Sequence, residues 1–124
     1  MKLSNEKMLT DISKLRTLSQ KQLPVKVSYA IAKNISKIEK ELLIYEQERQ
    51  KLIDKYAEKD NEGKVVADKN GQIKFKDKEN WEKDIKELLS IENEIDIHKF
   101  KIDELEGYSM TPAEIMSIEY MIEE

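Results

Sequence analysis

The chain of 124 residues contains no cysteine, only three glycines and only two prolines. Without thiols it has no disulfide framework and no thiolate metal site, so a cytoplasmic location is expected. The scarcity of Gly and Pro, with 39% charged and 39% hydrophobic residues, is typical of helix-rich and coiled-coil proteins. The composition predicts a single, mostly α domain over residues 1–124.

Histidine is also scarce, because His98 is the only one in the chain. Catalytic Ser–His and Cys–His pairs therefore have one candidate base at most, and no G-x-S-x-G motif accompanies it. Glycine-rich phosphate loops and Glu-x-x-His metal motifs are absent from the sequence. The stretch that ends at Asp77 departs from a calcium loop, because Val66 stands at the position of the first ligand. We expect a protein that is not an enzyme and needs no metal or cofactor.

Long hydrophobic runs are missing, since no apolar stretch approaches the ~20 residues of a membrane span. Charge is unevenly distributed: residues 1–40 hold nine Lys and Arg against three Asp and Glu, a balance of +6, and the remainder carries −10. The basic portion either meets an anionic ligand or partner, or neutralises the acidic portion of its own or a neighbouring chain. Duplex DNA is not an expected partner because the acidic portion would repel it, and neither is a membrane.

The most informative pattern is a 3.5-residue repeat within the segment from Pro24 to about Glu58. Its members are Ile31, Ile35, Ile38, Leu42, Tyr45, Arg49, Leu52 and Tyr56. All but Arg49 are apolar, so the repeat predicts the seam of a long helix that packs on a partner helix along most of its length. Arg49 is expected to pair with a carboxylate such as Glu87 or Glu92.

Three further helices are indicated by capping residues and apolar spacing. The first runs from Asn5 to about Gln20 behind the N-cap Ser4, and the last begins at Pro112 behind Thr111. The third begins near Asp77, and its apolar residues mark it as the partner of the long seam: Trp81, Ile85, Leu88, Ile91 and Ile95. The last helix is expected to present Ile115, Ile118, Met121 and Ile122.

Two stretches depart from helical periodicity. Asn70-Gly71 predicts a small β-hairpin that pairs Lys64–Ala67 with Gln72–Lys76, an insertion over about residues 60–76. Residues 95–102 are either an extended strand or a continuation of the third helix with a slip in register. We expect no internal repeat. The predicted fold is a long helical hairpin with short N- and C-terminal helices and this small β-hairpin insertion.

Five residues of the basic portion are candidates for ligand binding: Lys26, Tyr29, Lys33, Lys37 and Arg16. One interpretation is a stripe of solvated lysines beside the seam. The other is an anion site, in which ammonium groups contact phosphate oxygens, Tyr29 stacks, and the start of the long helix offers free N–H groups.

Apolar residues off the seam of the long helix predict a homo-oligomer, most simply a symmetric dimer. These residues are Leu43, Ile44 and Ile53. One compact chain of this size cannot cover every side of so long a helix.

The order of these features resembles a family of small uncharacterised helical proteins of bacteriophages and prophages of Gram-positive bacteria. The resemblance rests on LPVKVSYAIAKN at residues 23–34, Tyr56, the Asn-Gly hairpin, IDIHKF and the closing Thr-Pro-Ala-Glu helix, and covers roughly residues 15–122. It implies a phage protein in the host cytoplasm that binds a host effector or sequesters a nucleotide immune signal as counter-defence. Its alternative implication is an accessory or chaperone protein in virion assembly. The family brings no catalytic residues.

Overall fold

The computed structural model describes residues 1–123. Ser4 caps the start of the first helix, because its hydroxyl accepts a hydrogen bond from the backbone N–H of Lys7 at 3.0 Å. Helical residues make up 59% of the chain, which confirms the mostly α fold. The four α-helices are α1 (Asn5–Ser19), α2 (Val25–Tyr56), α3 (Lys78–Ser90) and α4 (Pro112–Ser117). In the part of the chain that the structure describes, no helix combines the length and apolar character needed to cross a membrane.

Caps fix the starts of the two later helices as the sequence predicts. Asp77 caps α3 by accepting from the backbone N–H of Asn80 at 3.2 Å. Thr111 and Glu114 form a reciprocal capping box at the start of α4. The chain leaves the α-helix after Ser117, so two residues expected on α4 lie beyond it: Ile118 is its C-cap, and Met121 lies in a 3₁₀ helix (Glu119–Met121).

Four short strands pair segments that are far apart in the sequence. β1 (Lys2–Ser4) runs antiparallel to β2 (Glu92–Glu94), and β3 (Phe100–Lys101) runs parallel to β4 (Ile122–Glu123). Residues 95–99 between β2 and β3 are also outside any helix, and a 3₁₀ helix (Ile102–Leu105) follows β3, which decides the ambiguity at 95–102 against a continuation of the third helix. Ile122, predicted on the last helix, lies in β4 instead. Strands of two or three residues are too short to give an alternation pattern.

The described residues form two compact units. The terminal unit contains Met1–Leu42 and the chain from Glu92 onward, and the inserted unit contains Leu43–Ile91. The single domain that the sequence predicts stays a prediction. The seam of α2 is inward-facing in both units, since each of its eight residues is buried or half-buried. α3 belongs to the inserted unit alone, so the first part of the seam packs on other segments than the expected third helix.

The core of the terminal unit joins α1, the first part of α2 and the segments after β2. Its largest fully buried apolar side chains are Met8, Leu15, Val27, Ile31, Ile38, Ile118 and Met121. Asp11 of α1 is also buried, where it accepts from the Tyr120 hydroxyl at 3.3 Å and pairs with the Lys7 ammonium at 3.2 Å. Burial, reinforced by the Asp11 carboxylate, raises the pKa of Tyr120 far above its usual value. The Tyr120 hydroxyl therefore stays protonated and remains a donor to Asp11.

The inserted unit contains the second part of α2, two turns and α3. Tyr45, Ile53 and Ala57 are its buried apolar residues, while α3 has no buried residue. The Tyr56 hydroxyl donates to Asp84 of α3 at 2.6 Å, so α3 returns alongside α2 within this unit. That hydrogen bond is the main cause that raises the pKa of Tyr56.

Three expectations about this region are corrected. Arg49 pairs with Glu46 of its own helix at 3.0 Å and not with Glu87 or Glu92, since one helical turn brings an i,i+3 pair together without ordering another element. The predicted face of α3 ends early: the helix stops at Ser90, Ile91 is exposed, and Ile95 is buried in the terminal unit.

The third correction concerns the residues from which the homo-oligomer was predicted. Ile53 is only 4% exposed, so Leu43 and Ile44 alone remain on the surface. The oligomer itself stays a prediction that light scattering tests, and a monomer mass at micromolar concentration would contradict it.

The predicted β-hairpin is confirmed and proves to be half of a repeated structure. Ala67 bridges to Ile73, as the pairing of residues 64–67 with 72–76 requires, and Lys59 bridges to Val65 around an earlier turn. The two turns have the sequences DNEGKVVA and DKNGQIKF, an eight-residue repeat at residues 60–67 and 68–75. The expectation of no internal repeat is therefore wrong. Only the Asp, the Gly and two apolar positions recur, too little for pattern reading to detect.

Each turn uses the same hydrogen bonds. The carboxylates of Asp60 and Asp68 each accept from two backbone N–H groups, at 2.8 to 3.0 Å, and the glycine three residues on has φ +79. Three extended segments then bond in a ring: Glu58 donates to the carbonyl of Lys74, Lys74 to Val66, and Val66 to Glu58, at 2.8 to 3.0 Å. This ring satisfies backbone groups that a lone two-stranded hairpin leaves open.

Candidate functional site

Tyr29 and Lys33 lie one turn apart on α2, in the terminal unit. The Lys33 ammonium is 5.6 Å from the centroid of the Tyr29 ring, within the range of a cation–π contact. The Tyr29 side chain is 54% exposed, an unusual position for a large aromatic ring. The structure therefore brings together two of the five residues that the sequence marks as candidates.

His98 completes this surface from a distant part of the chain. Its ring makes a T-shaped contact with the Tyr29 ring, with centroids 5.4 Å apart and planes at 73°. The backbone of His98 is held by Asn34, which is fully buried: the amide nitrogen donates to the His98 carbonyl and the amide oxygen accepts from the His98 N–H, each at 2.8 Å. We call Tyr29, Lys33 and His98 the Tyr29 surface.

The other three candidates have partners within the chain. Lys26 lies 3.5 Å from a carboxylate oxygen of Glu104, and Arg16 lies 3.1 Å from one of Glu39. Lys37 donates to the backbone carbonyl of Asp96. The ion pairs of Lys26 and Arg16 support the interpretation in which basic residues neutralise acidic ones, and exposed pairs of this kind contribute only ~0–1 kcal/mol each.

A fourth basic residue, not among the candidates, also has a carboxylate partner within the chain. The Lys21 ammonium lies 2.9 Å from Glu114. A hydrogen bond from the backbone N–H of Thr111, followed by the one from Lys21, lowers the pKa of Glu114. Lys21 thus ties the end of α1 to the capping box of α4.

Sequence reasoning did not place His98 in the site. The Asn34–His98 clamp spans 64 positions of sequence, and neither residue belongs to a motif that predicts the other. The one available signal was the inward position of Asn34, which falls on the apolar side of α2 beside Ile31 and Ile38. A buried amide needs polar partners, and here a backbone peptide supplies both.

The Tyr29 surface offers an aromatic ring, an imidazole and an ammonium, and the ammonium can form charge-assisted hydrogen bonds with anionic groups. It is open, since Tyr29 is more than half exposed. The larger concave spaces lie elsewhere: one of about 770 Å³ in the terminal unit and one of about 680 Å³ in the inserted unit have other lining residues.

No protein-family model matches the chain, and comparison with curated proteins and with solved structures finds no match either.

Proposed function

We propose that the protein is a non-catalytic binding module whose Tyr29 surface holds an acidic patch of a partner protein. The observation that carries this proposal is the exposed Tyr29 ring, with Lys33 over it and His98 in T-shaped contact with it. Tyrosine gives a large contact area at small entropic cost, which is why it is enriched at the centres of protein interfaces. The Lys33 ammonium adds attraction for carboxylates and speeds encounter with an acidic partner.

The openness of the surface favours a protein over a small molecule. Small ligands usually occupy concave pockets that bury most of their area, whereas protein partners are held on broader and flatter surfaces. Lys26 and Lys37 lie on the same helix as Tyr29 and extend the positive charge on either side, although each has a contact within the chain. A carboxylate-rich partner could compete for them.

The phage setting comes from the family resemblance alone. In that setting the acidic partner is a host effector, and holding it is the counter-defence activity. A nucleotide immune signal is the competing ligand for the same surface, and the test below separates the two.

The test uses hexaglutamate as an acidic peptide probe, followed by NMR amide shifts. We expect shifts to concentrate at residues 29, 33 and 98. The double variant Tyr29→Ala with Lys33→Glu should lose them. Tyr108→Ala with Lys69→Glu is the matched control, because it makes the same changes at exposed residues outside the surface.

Two results would contradict the proposal. One is a peptide response that is the same in the double variant and in the control. The other is adenosine monophosphate producing the larger shifts at the Tyr29 surface, which would assign that surface to nucleotides. Circular dichroism of each variant shows that the fold is retained.

A further inference from the structure

We infer that the inserted unit carries a second binding site, in the cavity beside the stacked rings of Phe75 and Trp81. Its ligand is an anion of mononucleotide size that contains a planar base. The cavity has a volume of about 680 Å³, and both rings line it together with Arg49, Lys74 and Lys78. A volume of this size falls within the ~300–1,000 Å³ of typical small-ligand pockets. This inference does not depend on the Tyr29 surface.

The aromatic part of the site is preformed. The rings of Phe75 and Trp81 are nearly parallel, at 15°, with centroids 4.4 Å apart, and both side chains are half-buried. A flat base can extend such a stack, because every base has a π-face and both rings line the cavity.

The backbone contacts on either side of Phe75 and Trp81 explain why their rings lie together. Phe75 bridges to Ala57 just after α2, and Lys76 donates to the carbonyl of Tyr56 at 2.8 Å, which anchors the segment that precedes α3. Asp77 then caps α3 and places Trp81 one turn into the helix. The aromatic pair is thus fixed from both sides by backbone hydrogen bonds.

The charged lining favours an anion. Lys74 makes no ion pair within residues 1–123, and the Lys78 ammonium lies 3.9 Å from Glu82, at the limit of an ion pair. Arg49 contacts Glu46 at 3.0 Å and keeps further donors on its guanidinium.

Two carboxylates also line the cavity. Asp68 is already engaged, because one of its oxygens accepts from the N–H groups of Asn70 and Gln72, at 2.8 and 3.0 Å. Glu58 is the second acid, so three cationic side chains face two carboxylates and the formal balance of the lining is +1. A phosphate beside the three cations gains charge-assisted hydrogen bonds.

The test exploits Trp81, which is the only tryptophan of the chain. Adenosine monophosphate stacked in the cavity should quench its fluorescence in a saturable manner. Lys74→Glu with Lys78→Glu should weaken the affinity by at least about tenfold, which corresponds to ~1.4 kcal/mol. Lys69→Glu with Lys83→Glu makes the same charge change at exposed residues outside the lining and should leave the affinity unchanged.

Two ligand fragments define the chemical class. Adenosine lacks the phosphate and ribose 5-phosphate lacks the base, so each should bind at least about tenfold more weakly than the nucleotide. Quenching that does not saturate, equal affinity in the two lysine variants, or equal affinity for adenosine would overturn the inference. The Tyr29→Ala, Lys33→Glu variant should bind the nucleotide normally, and loss of binding there would move the ligand to the other unit.

Discussion

The terminal and inserted units hold themselves together in different ways. The terminal unit has a continuous core of 14 buried apolar residues that come from both ends of the sequence. In the inserted unit the buried apolar residues are Tyr45, Ile53 and Ala57. This unit is held instead by the hydrogen-bonded turns at Asp60 and Asp68, by the ring of backbone hydrogen bonds and by half-buried aromatic side chains. A small core gives less resistance to local opening, so the two units should differ in stability although one helix runs through both.

The largest difference is expected from truncating one isoleucine in each unit. Ile38 is fully buried in the terminal unit, so Ile38→Ala should lower the free energy of unfolding by ~3–4 kcal/mol. Ile85 on α3 is only half-buried, and Ile85→Ala should cost ~1–1.5 kcal/mol because a partly exposed site leaves a smaller cavity. Urea denaturation measures both values. Equal losses would mean that the inserted unit has a core comparable to that of the terminal unit.

The two units should also differ in their response to losing an asparagine side chain. Asn34→Ala removes both hydrogen bonds to the His98 peptide and leaves the part-buried N–H and carbonyl of His98 without this partner, so it should destabilise the protein by ~2–3 kcal/mol. Asn61→Ala, at an exposed position of the inserted unit, should change stability by less than ~0.5 kcal/mol. Denaturant midpoints give both values, and NMR shifts of His98 report the loss of the clamp. An Asn34→Ala variant with unchanged midpoint would show that the clamp does not support the fold.

Sequence reasoning predicted the features of the fold that depend on contacts between residues close together in the sequence. Ser4, Asp77 and Thr111 cap their helices as expected, because a cap involves residues only three apart. The missed features join distant segments: β1 pairs with β2 and β3 with β4 through backbone groups, which leave no side-chain pattern. Arg49 illustrates the same limit, since periodicity gives its position on the helix but not its partner.

In the candidate site, too, sequence reasoning could predict contacts between nearby residues but not contacts between distant ones. Tyr29 and Lys33 could be associated from helical spacing, and the structure places them in contact. The partners of Lys26 and Arg16 could not be predicted, because Glu104 and Glu39 come close only once the terminal unit is folded. His98 reaches the site through a backbone clamp, and the sequence shows only the inward position of Asn34 and not the residue that Asn34 holds.

A smaller effect is expected at the turns of the inserted unit. Gly71 has φ +79, a conformation in which a side chain clashes with the backbone, so Gly71→Ala should cost ~1–2 kcal/mol. The loss should be local, because Trp81 beside this turn reports it by fluorescence while the unfolding of the terminal unit stays unchanged. Gln72→Ala is the neighbouring control with ordinary backbone geometry. A loss that spreads to the terminal unit would mean that the two units unfold as one.

The smallest effect is pH-dependent and belongs to the terminal unit. The pKa of Glu114 is lowered from its ordinary value of 4.5 by the Thr111 backbone bond and then by Lys21. Because the folded state holds this carboxylate ionised more firmly than the unfolded state does, its stabilisation is present above pH 4.5 and is lost as the pH falls through the lowered folded value. Glu114→Gln should therefore lower the urea midpoint slightly at pH 7 and have no effect at a pH low enough to protonate the carboxylate in both states. Glu119→Gln, an exposed residue close to the end of α4, is the matched control and should leave the midpoint unchanged at both values. If Glu114→Gln were equally destabilising at low pH, the carboxylate charge would not be what joins α4 to Lys21, and the capping geometry alone would explain the contact.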